Sequence, residues 1–250
     1  GTYNAGSGRT EIGGSFLIED MTDHEHSQAS FCMQDEEAYV LVNGDFLIDT
    51  IYNKDNITAG TLELRGDFTQ RRSASTSSNM SSFNASGTHK VILSGEEEQA
   101  ISFANPQESY FNILEIISDI PINFKTPILL NRVTKNINFS NDTLTIVGTA
   151  PIFECEEVNG KGMVVNTTIN FPEKFKINLS GNLHLGSDIS GVYVNDGCLQ
   201  VAGNIYHDKG TLNVENGTLK VGGNYYAEGG TYNAGRGRTE IGGSFLIEDG

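Results

Sequence analysis

Three nine-residue stretches near the end of the chain decide the fold: LQVAGNIYH at residues 199–207, LKVGGNYYA at 219–227 and TEIGGSFLI at 239–247. They begin at regular intervals, at positions 199, 219 and 239. Within each stretch the side chains alternate in character up to a Gly that precedes Asn or Ser. Such alternation predicts a β-strand, because successive side chains of a strand point to opposite faces. We therefore expect an all-β chain, a parallel β-helix (β-solenoid) with coils of about 20 residues and surface loop insertions.

The same string, ending in a Gly and a short polar residue, occurs in earlier parts of the chain. Gly suits a corner between two strands because it adopts a positive φ at little steric cost. Stacked coils place equivalent corners above one another, so the polar residues after the corner Gly should form columns and bond to the neighbouring turn. These ladder positions are Asp45, Asp67, Asn182, Asn204 and Asn224. The alternative is that they are ordinary turn-forming residues.

A longer repeat joins the two ends of the sequence. GTYNAGSGRTEIGGSFLIED at residues 1–20 returns as GTYNAGRGRTEIGGSFLIED at 230–249, with Ser7 replaced by Arg236. The distance between the starts of the two copies, from Gly1 to Gly230, is the size of a domain. We interpret residues 1–229 as one large tandem repeat and 230–250 as the start of the next. Within the repeat, the acidic segment near 19–37 and the Ser-rich segment near 71–87 are predicted to be loop insertions.

Charge and composition exclude several classes of protein. The net charge is −16, with 16 Lys and Arg against 32 Asp and Glu. Nucleic acid is therefore not an expected partner, because its binding requires clustered positive charge. No apolar run approaches the length of a transmembrane helix, so this segment is not expected to insert into a membrane. The excess of acidic residues instead favours solubility of an extended, repetitive surface.

One group of residues resembles a metal site. His24 and His26 form an HxH pair beside Asp23, with Cys32 further along the chain. On a strand, the two imidazoles of such a pair share one face, as a zinc or nickel site requires. The alternative is a solvated acidic loop. We expect no cofactor apart from loosely collected divalent cations.

The run KVILSGEEEQAISFANPQESYFNILEI at residues 90–116 carries a resemblance. It is similar to a module of very large secreted or surface-anchored bacterial β-solenoid proteins: a Val-rich strand, Ser-Gly, Gln-x-Ile-x-Phe, and Phe-x-x-Leu-x-Ile. The resemblance covers this run and the later coils, roughly half the chain. It implies a solenoid architecture and an extracellular or cell-surface location. The matching residues are Val91, Leu93, Ser94, Gly95, Gln99, Ile101, Phe103, Phe111, Leu114 and Ile116.

Catalysis is not expected, although parallel β-helices also carry pectin-active lyases and hydrolases. The strings typical of those enzymes, Asn-Thr-Asp, Gly-His-Gly and Arg-Ile-Lys, are absent from the sequence. So are a serine nucleophile elbow, a phosphate-binding Gly loop and HExxH. We therefore predict no catalytic and no cofactor-binding residues. A polysaccharide lyase or hydrolase remains the second alternative function.

The sequence favours a mechanical role. We expect a structural, fibrous repeat segment of a bacterial cell-surface or extracellular filament protein, acting as a rod or stalk whose partners are neighbouring copies stacked end to end. The first alternative is a glycan- or host-binding adhesin. Alternation places Tyr206, Tyr226 and Leu246 in one outward column. Such a column is a candidate ligand face, a candidate lateral contact between fibres, or incidental surface.

Overall fold

The computed structural model of the protein describes residues 1–20, 29–50, 53, 55–71, 82–106, 108–135, 137–140, 144–148, 151–154 and 156–248. Within these residues the chain is all-β, and parallel strands stack as a β-solenoid with coils of around 22 residues. The predicted fold class is confirmed, and the coils are on average slightly longer than expected from the sequence. This part of the chain contains no helix that could cross a membrane.

The first of two compact units, Gly1–Leu130, contributes strands to three faces of its coils. One face stacks β2, β5, β7, β9 and β11, and a second stacks β3, β6, β8, β10 and β12. On the third face β1 pairs with β4, and single bridges join Met33 to Ile57 and Ile57 to Ala85. The strands are β1 (Thr2–Asn4), β2 (Gly8–Ile12), β3 (Phe16–Glu19), β4 (Ser30–Cys32), β5 (Ala38–Val42), β6 (Phe46–Asp49), β7 (Thr61–Leu64), β8 (Phe68–Gln70), β9 (Lys90–Leu93), β10 (Ala100–Phe103), β11 (Phe111–Ile116) and β12 (Asn123–Phe124).

Aromatic side chains fill the interior of this unit. The register pairs Phe16 with Phe46 and Phe46 with Phe68 on adjacent strands. The rings of Phe46 and Phe68 are stacked, with centroids 5.7 Å apart and planes 5° apart. Phe83 and Phe111 pack edge-on against Phe68. Because in-register parallel strands place equivalent residues above one another, Phe16, Phe46 and Phe68 of three successive coils form a column of rings, in which one contact is edge-on and one is stacked.

The second unit, Asn131–Gly250, is the more regular. Its boundary falls inside β13 (Ile128–Val133), and each later coil adds one strand to each of three parallel sheets. Equivalent strands β23, β26 and β29 begin at positions 198, 218 and 238, which matches the regular spacing in the sequence. The strands are β14 (Ile137–Asn138), β15 (Leu144–Val147), β16 (Ile152–Phe153), β17 (Glu157–Gly160), β18 (Met163–Val165), β19 (Thr168–Asn170), β20 (Lys176–Leu179), β21 (Leu183–Leu185), β22 (Gly191–Tyr193), β23 (Cys198–Val201), β24 (Ile205–His207), β25 (Thr211–Asn213), β26 (Thr218–Val221), β27 (Tyr225–Ala227), β28 (Thr231–Asn233), β29 (Arg238–Ile241) and β30 (Phe245–Ile247).

Unit 1 has the longer coils because its connections are longer. Gly8 has Ala38 as its register partner in the next coil, and Thr61 has Lys90. Both segments predicted as loop insertions also supply core residues. In 19–37, β4 pairs with β1 and buries Phe31. In 71–87, Phe83 is fully buried, whereas residues 72–81 lie outside the described part.

Candidate functional site

Three of the predicted ladder residues form one column in unit 2. The Asn182 side-chain oxygen Oδ1 accepts the backbone N–H of Asn204 at 2.8 Å, and Asn204 Oδ1 accepts that of Asn224 at 2.8 Å. Asn224 Oδ1 then accepts the N–H of Ser244 at 2.9 Å. Each side chain therefore reaches the next coil, and it bonds to backbone rather than to another amide.

Carboxylates form the equivalent column in unit 1. Asp45 Oδ1 accepts the N–H of Asp67 at 2.9 Å, and Asp67 Oδ1 accepts the N–H of Ala100 at 2.8 Å. At the start of the column, Ser15 Oγ accepts the N–H of Asp45 at 3.0 Å. The structure thus divides the five predicted ladder positions between two columns, one in each unit.

The corner glycines serve close approach rather than a left-handed backbone. A Cβ on Gly223 would lie 2.3 Å from Asn204 Oδ1 and 2.8 Å from the Gly203 carbonyl oxygen. A Cβ on Gly66 would lie 2.5 Å from the Gly44 carbonyl oxygen. These glycines do not have positive φ, so the conformational reason predicted from the sequence was wrong. Stacked corners leave no room for a side chain on the glycine, and this is what permits the ladder.

The ladder can be tested at Asn204. Replacing Asn204 by Ala removes the acceptor for the Asn224 N–H, and we expect a loss of about 1 kcal/mol in the free energy of unfolding. Asn204→Asp keeps that oxygen, as Asp45 does in unit 1, and should lose less than half as much. Urea denaturation of both variants measures the difference. Equal losses would show that the oxygen acceptor is not what stabilises the corner.

The predicted outward column is an aromatic stack that begins one coil earlier than expected. His184 stacks on Tyr206 with ring centroids 4.4 Å apart, and Tyr206 stacks on Tyr226 with centroids 5.2 Å and planes 8° apart. Leu246 follows Tyr226 in register. The Asn224 side-chain amide donates to the Tyr226 hydroxyl at 2.7 Å. His184 was missed, although its outward position between Leu183 and Leu185 is visible in the sequence.

This stacking limits how the column can bind a ligand. The faces of the Tyr206 and Tyr226 rings cover one another, and both residues are half-buried. A flat sugar platform requires ring faces that are open to solvent, whereas here ring edges point outward. The geometry favours packing within the solenoid or lateral contact with another molecule.

The metal candidate lies mostly outside the described residues. This applies to Asp23, His24 and His26, while Cys32 is a free cysteine at the end of β4. Burial raises the pKa of the Cys32 thiol, which disfavours the thiolate that a metal would require. Across the residues with described structure, no group of three or more His, Cys, Asp or Glu side chains could hold a metal ion.

A buried polar cluster on the outer side of the β2–β5–β7 sheet was not predicted. Glu63 is 9% exposed, and it accepts hydrogen bonds from the Tyr39 hydroxyl and, at 2.7 Å, from Ser94 Oγ. The Arg9 guanidinium carbon lies 4.5 Å from the centre of the Tyr39 ring. The members lie on different coils at unequal spacings, so no periodic signal in the sequence connects them.

The protonation states of this cluster fit a structural role. Burial by itself would raise the pKa of Glu63. The hydrogen bonds from Tyr39 and Ser94, together with the positive charges of Arg65 and Arg9, outweigh it, and the pKa lies below its usual value. Burial, followed by the bond to Glu63, raises the pKa of Tyr39. At neutral pH the pair is therefore a carboxylate that accepts from a phenol. Neither pKa is moved toward neutrality, as a general acid or base would require.

No protein-family model, no curated protein and no solved structure matches the chain. The features of this chain that bear on its function are the ladders, the aromatic stacks and the repeated sequence.

Proposed function

We propose that this chain is a structural repeat segment of a bacterial cell-surface or extracellular filament. It acts as a rod or stalk by stacking coils end to end. The observation that carries the proposal is the repeated coil: residues 230–248 have the sequence of residues 1–19 apart from one position. In both places this sequence forms three strands that pair in parallel with a neighbouring coil.

The physical basis is one-dimensional stacking. In a solenoid each coil pairs its backbone only with the coils on either side, so further repeats can be added without changing the coils already present. Side-chain ladders at the corners and rings in the core repeat along the same direction. The net charge of −16 opposes unspecific lateral association, which suits a long, separate fibre.

The buried cluster at Glu63 supports a structural rather than an enzymatic role. Its carboxylate has its two oxygens engaged by Tyr39 and Ser94, and its exposed fraction is small. A group held in this way stabilises the stacking of three neighbouring strands. It offers no free acid or base to a substrate.

Electron microscopy of chains with one, two and three copies of the large repeat tests this function. Each added copy should lengthen the particle by about 50 Å at constant width. Residues 1–229 make about ten coils at around 22 residues per coil, and each coil adds about 4.8 Å. Images of the native surface should show thin fibres with the same axial period. Particles that widen as copies are added would contradict the proposal.

A further inference from the structure

One coil is present twice, in two different surroundings. We call residues 1–19 the first shared coil and residues 230–248 the second shared coil. They differ only at Ser7 and Arg236, and the turn glycines Gly6 and Gly235 have φ values of 58° and 63°. The first shared coil pairs with the coil of residues 29–50, and we call the side that faces this coil the upper side. The second shared coil pairs with the coil of residues 210–228 on its opposite side, which we call the lower side. Together, the two copies show which residues contact each side of the shared coil.

The first shared coil shows what its upper side binds. Tyr3 stacks on Phe31 with ring centroids 5.7 Å and planes 10° apart, and Phe16 packs edge-on against Phe46 at 5.7 Å. The backbone N–H of Phe16 donates to the Asp45 carbonyl oxygen at 2.7 Å. Core rings and backbone therefore both contribute to this contact with residues 29–50.

The second shared coil shows what its lower side binds. Tyr225 stacks on Phe245 with ring centroids 4.7 Å and planes 15° apart. The Ser244 N–H donates to Asn224 Oδ1 at 2.9 Å. Ser244 corresponds to Ser15, whose Oγ accepts from Asp45 in unit 1. The serine of the shared coil thus ends one ladder column and begins the other.

The upper side of the second shared coil is uncovered within the described residues. Ile18 is 6% exposed in the first shared coil, whereas its equivalent Ile247 is 75% exposed. Phe245 and Leu246 are also exposed. The same apolar side chain is therefore part of the core in one copy and at the surface in the other, because only the first copy is covered by residues 29–50.

We propose that the upper side of the second shared coil binds the 29–50 coil of a further copy of this repeat. The contacts are those of the first shared coil: Phe31 against Tyr232, Phe46 against Phe245, and the Asp45 N–H donating to Ser244 Oγ. One shared coil then serves each junction, with its lower and upper sides both occupied. This inference rests on the proposed function, and it names the partner surface.

Charge selects residues 29–50 over another shared coil as the occupant. On the lower side, Glu240 is the register partner of Lys220. On the upper side, the Asn43 side-chain amide donates to Glu11, the equivalent of Glu240, at 3.2 Å. Stacking two shared coils in register would instead place Glu240 against Glu11, and like charges directly opposite are destabilising. The shared coil is complementary to its two observed neighbours and not to itself.

Hydrogen exchange of a two-copy chain tests the junction. Residues 1–249 continued by residues 21–229 form this chain. Arg236 then occurs only in the junction coil, so it distinguishes peptides of that coil from those of the first shared coil, which has Ser7. Exchange at the amides of Ala234 and Phe245, which correspond to amides that bond to residues 29–50 in unit 1, should slow by on the order of 100-fold relative to the single chain. Peptides with Ser7 should exchange alike in both chains.

A variant in the second copy provides the control. Asn43→Glu there places two carboxylates together at the junction and should reduce the protection several-fold, whereas Asn43→Gln should preserve it. Junction amides that exchange as fast as in the single chain, or equal protection in both variants, would overturn the inference. If the junction is protected but added copies do not lengthen the particle, the proposed function fails and the inference stands. If particles lengthen but the junction amides are not protected, the inference fails and the proposed function stands.

Discussion

Replacing Phe46 by Ala is expected to lower the free energy of unfolding by about 4 kcal/mol. Phe46 is fully buried, with ring centroids of Phe31, Phe16, Phe68 and Phe83 between 5.3 and 6.1 Å away. These rings come from different coils, so truncation leaves a cavity that no single neighbour can fill. Urea denaturation followed by circular dichroism measures the change.

Phe245→Ala is the matched control for this experiment. Phe245 follows the same corner as Phe46 but is 39% exposed, with Tyr225 and Tyr232 as its ring neighbours. Its loss should cost about 2 kcal/mol or less, because more than a third of its area stays in contact with water in the folded chain. Comparable losses for the two variants would show that burial in the ring stack is not what stabilises unit 1.

Acid is expected to destabilise the fold through His89. The side chain is fully buried, neither ring nitrogen has a hydrogen-bond partner among the described residues, and burial lowers its pKa from 6.5 to about 3. Between these values the unfolded chain binds a proton that the folded chain excludes. The contribution of neutral His89 is therefore complete above pH 6.5 and declines as the pH falls toward 3. The total decline is on the order of 5 kcal/mol.

The variant His89→Leu isolates this effect. It removes two unsatisfied nitrogens from an apolar site, so at pH 7 it should be at least as stable as the original chain. At pH 4 it should be more stable by about 3 kcal/mol, since the proton uptake is gone. Urea midpoints at the two pH values measure both quantities. Parallel pH dependence in the two proteins would refute the role of His89.

His207→Leu is the contrasting variant. His207 is also fully buried, but its Nδ1 lies 2.7 Å from the Tyr225 hydroxyl. Burial lowers the pKa of His207 as well. Its replacement leaves the Tyr225 hydroxyl without this partner, so stability should fall already at pH 7, by about 1–2 kcal/mol. The two histidines thus separate the effect of a missing partner from the effect of proton uptake.

Prediction from sequence succeeded best where coils follow one another without insertions. From β23 to β29 the spacing is uniform, so strands, corners and the outward Tyr206–Tyr226 column were all predicted. It was less complete in unit 1. There β4 is a short strand beside a polar segment, too short to show alternation, and the core role of Phe31 was not predicted. The ladder positions were predicted, but the reason for their glycines was not, because close approach between coils has no local signal.

The sequence by itself determined that the chain forms parallel coils, which side chains of the regular strands point inward, and that one coil occurs twice. Alternation is a local property of neighbouring residues, and repetition is found by comparing one segment of the sequence with another. Only the tertiary structure decided which outward residues meet, such as Tyr39 with Glu63 and Ser94, and which inward residues find no partner in the described part of the chain, such as His89. Backbone pairing sets the register between coils, and connections of unequal length change which residues share a column without altering the pattern of any strand.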